Sequence, residues 1–146
     1  MEDIGRILVV NWLTQYCQRP LHFGVSLAAK YGAELSVIHV VDTSWLRGWS
    51  LPMLSLDKEL GKDMEKIKTK LENCIFTEKT EGVKIKTIVK EGDPAEEVLK
   101  VIEAEKIDLV IMRAHAEGYF EQVLVGSSND RIIRKMPCSI FLVKQK

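Results

Sequence analysis

Four short, predominantly apolar runs constrain this chain more than any other feature: Ile7-Leu8-Val9-Val10, Leu35 to Val41, Leu109-Val110-Ile111-Met112 and Ser139-Ile140-Phe141-Leu142-Val143. Each reads as a strand buried on both faces. Amphipathic stretches separate them. From about Pro20 to Lys30, Leu21, Val25 and Ala28-Ala29 recur at helical spacing, with Pro20 in the first turn and Gly32 as the stop. From about Leu56 to Ile75, Leu60, Met64, Ile67 and Leu71 make one apolar stripe opposite many charges. Asp93 and Pro94 open a third helix as N-cap and first residue, and it ends near Glu105. A fourth covers about Ser128 to Lys135 and is stopped by Met136-Pro137. Val83 to Val89 alternates, with Lys84 and Lys86 opposite Val83, Ile85, Thr87 and Val89, as suits an edge strand. Residues 45–55, with Trp45, Gly48, Trp49 and Pro52, show no period and read as a loop.

The resulting order is βαβαβαβαβ. Helical crossovers require parallel strands joined right-handedly. The fold class is therefore α/β, an open parallel five-stranded sheet with helices on both faces. Ligands of such sheets lie at the carboxyl ends of the strands, where strand order reverses. That places candidate residues at Val10 to Thr14, including Asn11 and Trp12, at Val40 to Asp42, and at Met112 to Ala116, including Arg113.

Composition narrows the functional classes. The 146 residues suit one domain spanning the chain. With a formal net charge of zero, nothing steers the chain toward nucleic acid or an anionic membrane. Cys17, Cys74 and Cys138 are odd in number and far apart, which argues for a reducing compartment and against a disulfide frame or zinc site. No apolar run reaches the roughly 20 residues of a membrane helix. Met1-Glu2-Asp3 runs into a strand and does not read as a signal peptide. The expected location is the cytoplasm.

Gly126-Ser127-Ser128-Asn129-Asp130 is a small-residue turn that opens a helix. A helix N-terminus favours an anion, and plain capping by Ser127 or Ser128 uses the same geometry. Arg113 is either a phosphate ligand or a side chain that pairs with Glu117 or Glu121 or is solvated. Trp12 is either a stacking platform or a plug. His115 has no evident nucleophile to serve, so no catalytic residue is assigned. His22-Phe23-Gly24-Val25 lacks the final histidine of an H-x-G-H signature, and no G-x-G-x-x-G or G-x-x-x-x-G-K occurs. Cys17 near the cleft mouth has only Arg19 as a nearby cation. Trp45, Trp49, Leu46 and Leu51 form either a contact patch or a loop folded over its own aromatics. The last strand, Ser139 to Val143, would leave an apolar edge exposed. Pairing with its twin in a symmetric dimer would cover it, and otherwise Lys144-Gln145-Lys146 blunt it.

Several landmarks, in order along nearly the whole chain, resemble the universal stress protein family. They are Ile7-Leu8-Val9-Val10, Tyr31-Gly32-Ala33-Glu34-Leu35, His39-Val40-Val41-Asp42, Glu91-Gly92-Asp93-Pro94-Ala95-Glu96-Glu97, Asp108-Leu109-Val110-Ile111-Met112, Gly126-Ser127 and Met136-Pro137-Cys138-Ser139. The resemblance implies a Rossmann-like sheet of the adenine nucleotide alpha hydrolase-like type, order 3-2-1-4-5, and dimers through the fifth strand. Its ATP-binding members carry G-x-x-G, nine residues, then Gly-Ser or Gly-Thr. Here Arg113-Ala114-His115-Ala116 precedes nine residues and Gly126-Ser127, so the spacing and the final Gly-Ser remain while both leading glycines are replaced. Those members also place Asp after strand one, where this chain has Trp12. Ala116 adds a Cβ where the backbone should approach a phosphate. Against that, arginine can grip a phosphate and tryptophan can stack on a base. The expectation is a dimeric, non-enzymatic stress-response or regulatory scaffold with a degenerate cleft, no cofactor and a protein partner that the sequence does not name. The alternative is a switch that binds ATP or AMP through Gly126, Ser127, Ser128 and Arg113.

Overall fold

Uniformly apolar strands can be buried only if both faces of the sheet are covered, and the computed structural model arranges them so. It describes residues 3–12, 18–43, 53–78, 82–114 and 127–144, without the side chains of 53–63 and 127. The elements are β1 (Arg6–Val10), α1 (Gln18–Tyr31), β2 (Glu34–Asp42), α2 (Met53–Phe76), β3 (Ile85–Gly92), α3 (Pro94–Ala104), β4 (Leu109–Arg113), α4 (Ser127–Lys135) and β5 (Ser139–Val143). The five strands lie in the order β3-β2-β1-β4-β5 and every pair is parallel.

Alternation along the strands makes two apolar layers. Leu8, Val10, Ile38, Val40, Val110 and Met112 pack against Ala95, Val98, Val101 and Ile102 of α3 and Ile132 of α4. Ile7, Val9, Leu35, Val37, Leu109 and Ile111 pack against Leu21, Val25 and Ala28 of α1 and Leu71 of α2. At the amino ends of the strands, the Asp108 carboxylate accepts from the Gly5 and Arg6 amides at 2.9 and 2.8 Å, fixing β4 to the start of β1.

Asp93 caps α3 as expected, accepting from the Glu96 amide at 3.0 Å, with Pro94 in the first turn. Helix α2 and strand β3 differ in their bounds from the sequence reading. Helix α2 starts at Met53, inside the stretch expected to be loop, and the rest of that loop, with Trp45, Trp49, Leu46 and Leu51, lies outside the described residues. Strand β3 runs from Ile85 to Gly92 rather than from Val83 to Val89, and its carboxyl end is extended because its ladder with β2 continues until Gly92 faces Asp42. Gly92 there has φ 137, a conformation that favours glycine.

Helix α1 comes very close to the sheet at Gly24. A Cβ there would lie 2.4 Å from Val9 Cγ2 and 3.3 Å from Leu35 Cδ1. Both neighbours are fully buried, and the valine is stiff at χ1. Gly24→Ala gains about 1 kcal/mol of helix propensity and incurs about 1–3 kcal/mol of overpacking. Denaturant unfolding is expected to show a net loss of stability; an increase would mean that α1 is free to move outward.

Candidate functional site

The chain leaves β1 for α1 on one face and leaves β4 for α4 on the other. The crevice at a switch point opens between two such strands. Side-chain alternation then divides the sequence-derived residues between the faces. Val10, Val40 and Met112 belong to the α3/α4 layer, and the Trp12 ring packs against that layer. Arg113 ends β4 opposite Val143, whose side chain belongs to the α1/α2 layer. Asn11 continues the β1–β2 ladder, donating its amide to Ile38 O at 2.9 Å, and the same alternation turns it toward α1 and α2.

Register brings a polar row together on that second face. Val10 is level with Ile38, and Val9 with Ile111, so His39 within β2, Asn11 just after β1 and Arg113 at the end of β4 lie side by side on three neighbouring strands. Asn11 is 1% exposed and Arg113 3%. A solvated Arg113, one of the sequence expectations, is therefore not what is found; its position as the last residue of a central strand buries it. His39 Nδ1 donates to Asn11 O at 2.8 Å, which assigns the ring proton to Nδ1. Burial lowers the His39 pKa, outweighing the opposing effect of the bond to Asn11. The ring is thus held neutral.

Helix α4 brings its N-terminus to the crevice. Ser127 is its first residue, and Ser128 is buried. Asn129 is 4% exposed, and its Nδ2 donates to Arg113 O at 2.9 Å, clamping the first turn to the end of β4. Arg131 reaches the Asp93 carboxylate at 2.8 Å, which ties α4 to the cap of α3 and raises the Arg131 pKa. The positive end of the α4 dipole therefore points at the carboxyl ends of the strands. Ala116, Gly126, His115, Glu117, Glu121 and Cys17 lie outside the described residues.

Asn129 and His39 are the residues that sequence reasoning did not single out. Both left a signal. Asn129 stands three before Ile132 and so shares its inward helix face. His39 interrupts a run buried on both faces. Among the described residues, no group of three or more His, Cys, Asp or Glu could hold a metal, and no helix is long and apolar enough to cross a membrane.

The model of the universal stress protein family matches residues 4–144. A universal stress protein of Methanocaldococcus jannaschii, MJ0531, is 32% identical over 127 residues, covering 83% of this chain and 71% of its own. The solved structure of the hypothetical protein MJ0577 superposes with a TM-score of 0.80 at 26% identity, covering 99% of both chains. Two more distant structures show the same fold. One is a universal stress protein in complex with cAMP (TM-score 0.60, 13% identity, 97% of this chain and 98% of that one). The other is the Archaeoglobus fulgidus protein in complex with dAMP (TM-score 0.56, 12% identity, 99% and 100%).

The His39 environment predicts a pH dependence. Its folded-state pKa lies below the ordinary histidine value of 6.5, so the unfolded chain takes up this proton first. The stability due to neutral His39 is complete above that value and is lost as pH falls from it toward the lowered one. His39→Asn keeps a donor for Asn11 O and removes the titration. Its unfolding free energy is expected to fall less than wild type between about pH 7 and pH 5; identical slopes would contradict the assignment.

Proposed function

The chain belongs to the universal stress protein family, and we propose that it serves there as a dimeric, non-enzymatic regulatory protein of the cytoplasm that acts through contact with a protein partner. In this reading the cleft does not hold ATP. The observation that carries it is the division of the crevice residues. Trp12, where the nucleotide-binding members place Asp, packs its ring on the apolar α3/α4 layer. Arg113, where they place the first glycine, is buried at the end of β4 on the side of α1 and α2. A carboxylate for ribose or adenine is thus replaced by an apolar ring. A phosphate-facing glycine is replaced by a side chain that turns to the other face.

The β5 edge supports the dimer. Val143 O accepts from the Ala114 amide at 3.0 Å, so the Val143 backbone faces β4. By alternation the backbone groups of Ile140 and Leu142 face the open edge. Ser139 is exposed, Phe141 and Leu142 remain 36% and 44% exposed, and Phe141 rests on Phe23 of α1 with centroids 5.3 Å apart. Apolar side chains beside an open edge favour a second copy of the same strand.

A second reading, an adenine-nucleotide switch, draws on the α4 N-terminus at the crevice and on the relatives solved with cAMP and dAMP. Thermal unfolding with millimolar ATP–Mg²⁺ separates the two. A ligand at 100 times its Kd adds about 2.7 kcal/mol, and the proposal expects no shift; a rise of that size would establish the switch. Sedimentation tests the dimer. Wild type should run at twice the chain mass and Leu142→Lys at the chain mass, with unchanged circular dichroism. A monomeric wild type would sink the edge-pairing proposal.

A further inference from the structure

We propose that the open edge of β3 is a docking site for an extended segment of a partner protein in which apolar and acidic residues alternate. This rests on the reading above that the chain acts through contact with a protein partner, and it names the surface and the chemistry that surface recognises. β3 pairs with β2, and among the described residues no strand meets its other side. Gly92 O accepts from the Thr43 amide at 3.1 Å, so the Gly92 backbone faces β2. The register runs without interruption from Ile85 to Gly92. Alternation therefore turns the backbone N–H and C=O groups of Thr87 and Val89 to the open side. A row of such groups at strand spacing is a template for one more strand.

The helices leave room for that strand. Helix α2 packs on the face of β3 that carries Val89, and α3 packs on the face that carries Ile88. Between the two helices a groove of about 530 Å³ runs over the edge, lined by both faces of β3 from Lys86 to Lys90. Its two sides differ in chemistry. On the α2 side, Thr87 and Val89 lie beside Met64. On the α3 side, Lys86 and Lys90 flank Ile88, and Lys100 joins them from the helix. Lys86 is held by Glu105 at 2.7 Å and Lys100 by Glu97 at 3.2 Å. Lys90 acts on Glu105 only at longer range, behind Lys86, so positive charge is in excess on this side. An added strand would place every second side chain beside Lys86 and Lys90, where a carboxylate is favoured. The residues between would meet Thr87, Val89 and Met64, which suit β-branched apolar side chains. Edge lysines by themselves discourage pairing. Here they discriminate: a second copy of β3 would set lysines beside lysines, whereas an acidic strand gains opposite-charge pairs.

Fluorescence anisotropy on the full chain tests this with a labelled peptide of alternating valine and glutamate, as long as β3. Two controls go with it: the same residues grouped in two blocks, and alternating valine and lysine. The alternating acidic peptide is expected to bind saturably and about tenfold more tightly than either control. Lys90→Glu, a change at an exposed position, should weaken it by about tenfold and strengthen the lysine peptide. Amide hydrogen exchange supplies a readout that charge attraction alone would not move. The Thr87 and Val89 amides should exchange more slowly when the acidic peptide is bound, while those of Ile88 and Lys90, which face β2, stay as they are. If Lys90→Glu does not fold, exchange on wild-type protein decides. Absence of saturable binding, equal binding of the block peptide, or binding without protection of Thr87 and Val89 would overturn the inference. Any of these results leaves the dimer and the cleft closed to ATP in place, since sedimentation and thermal unfolding test those separately. A thermal shift with ATP would overturn the proposed function while leaving peptide protection at β3 to be read on its own.

Discussion

Side-chain alternation along two adjacent parallel strands, β1 and β4, governs everything at the carboxyl end of this sheet. Each residue that leaves the end of a strand must turn to one layer or the other. Val10 and Trp12 turn to α3 and α4, and Asn11 and Arg113 turn to α1 and α2. Residues that are neighbours in sequence therefore cannot work together in one pocket. The chain places its large apolar ring on the face where α4 presents its N-terminus. It places its cation, an amide and a neutral histidine on the opposite face. The chemistry of the crevice follows from that parity more than from the number of polar groups near it.

The crevice is also joined mechanically to the edge of the sheet. Asn129 holds Arg113 O, the next amide, Ala114, holds Val143 O on β5, and the carbonyl of Lys144, just past β5, accepts from Arg19 Nη1 at 2.6 Å. Arg19 in turn lies 5.8 Å from the Phe23 ring centroid, and Phe23 supports Phe141 of β5. On the other side, Arg131 fastens α4 to the cap of α3 through Asp93. A displacement of the first turn of α4 is thus transmitted through few bonds to the strand proposed as the dimer edge. That path connects local capping to assembly without a large moving part.

Much of the fold was legible because its signals are local. Unbroken apolar runs marked β1, β4 and β5, and Asp93-Pro94 marked the start of α3 to the residue. The lysines of Val83 to Val89 placed β3 at the edge, though not its end, because the extra pairing of Lys90 to Gly92 is supplied by β2. The site was less legible. Proximity to strand ends grouped Asn11, Trp12, Met112 and Arg113 correctly in space, but the period of two that separates them by face was not carried past the strand ends. A buried arginine contradicts the usual preference of that side chain, so Arg113 read as a cleft or solvent residue. Asn129 read as part of a small turn, since its partner, the Arg113 carbonyl, is 16 residues away in sequence.

The central claim is that this crevice has exchanged affinity for ATP for a neutral, largely apolar environment. Mass spectrometry of small molecules released by denaturing freshly purified protein tests it most directly. The account predicts no stoichiometric ATP, ADP or AMP in the released fraction. Near-stoichiometric release of any of the three nucleotides would contradict it and would return Trp12 to the role of a stacking platform for a phosphorylated ligand.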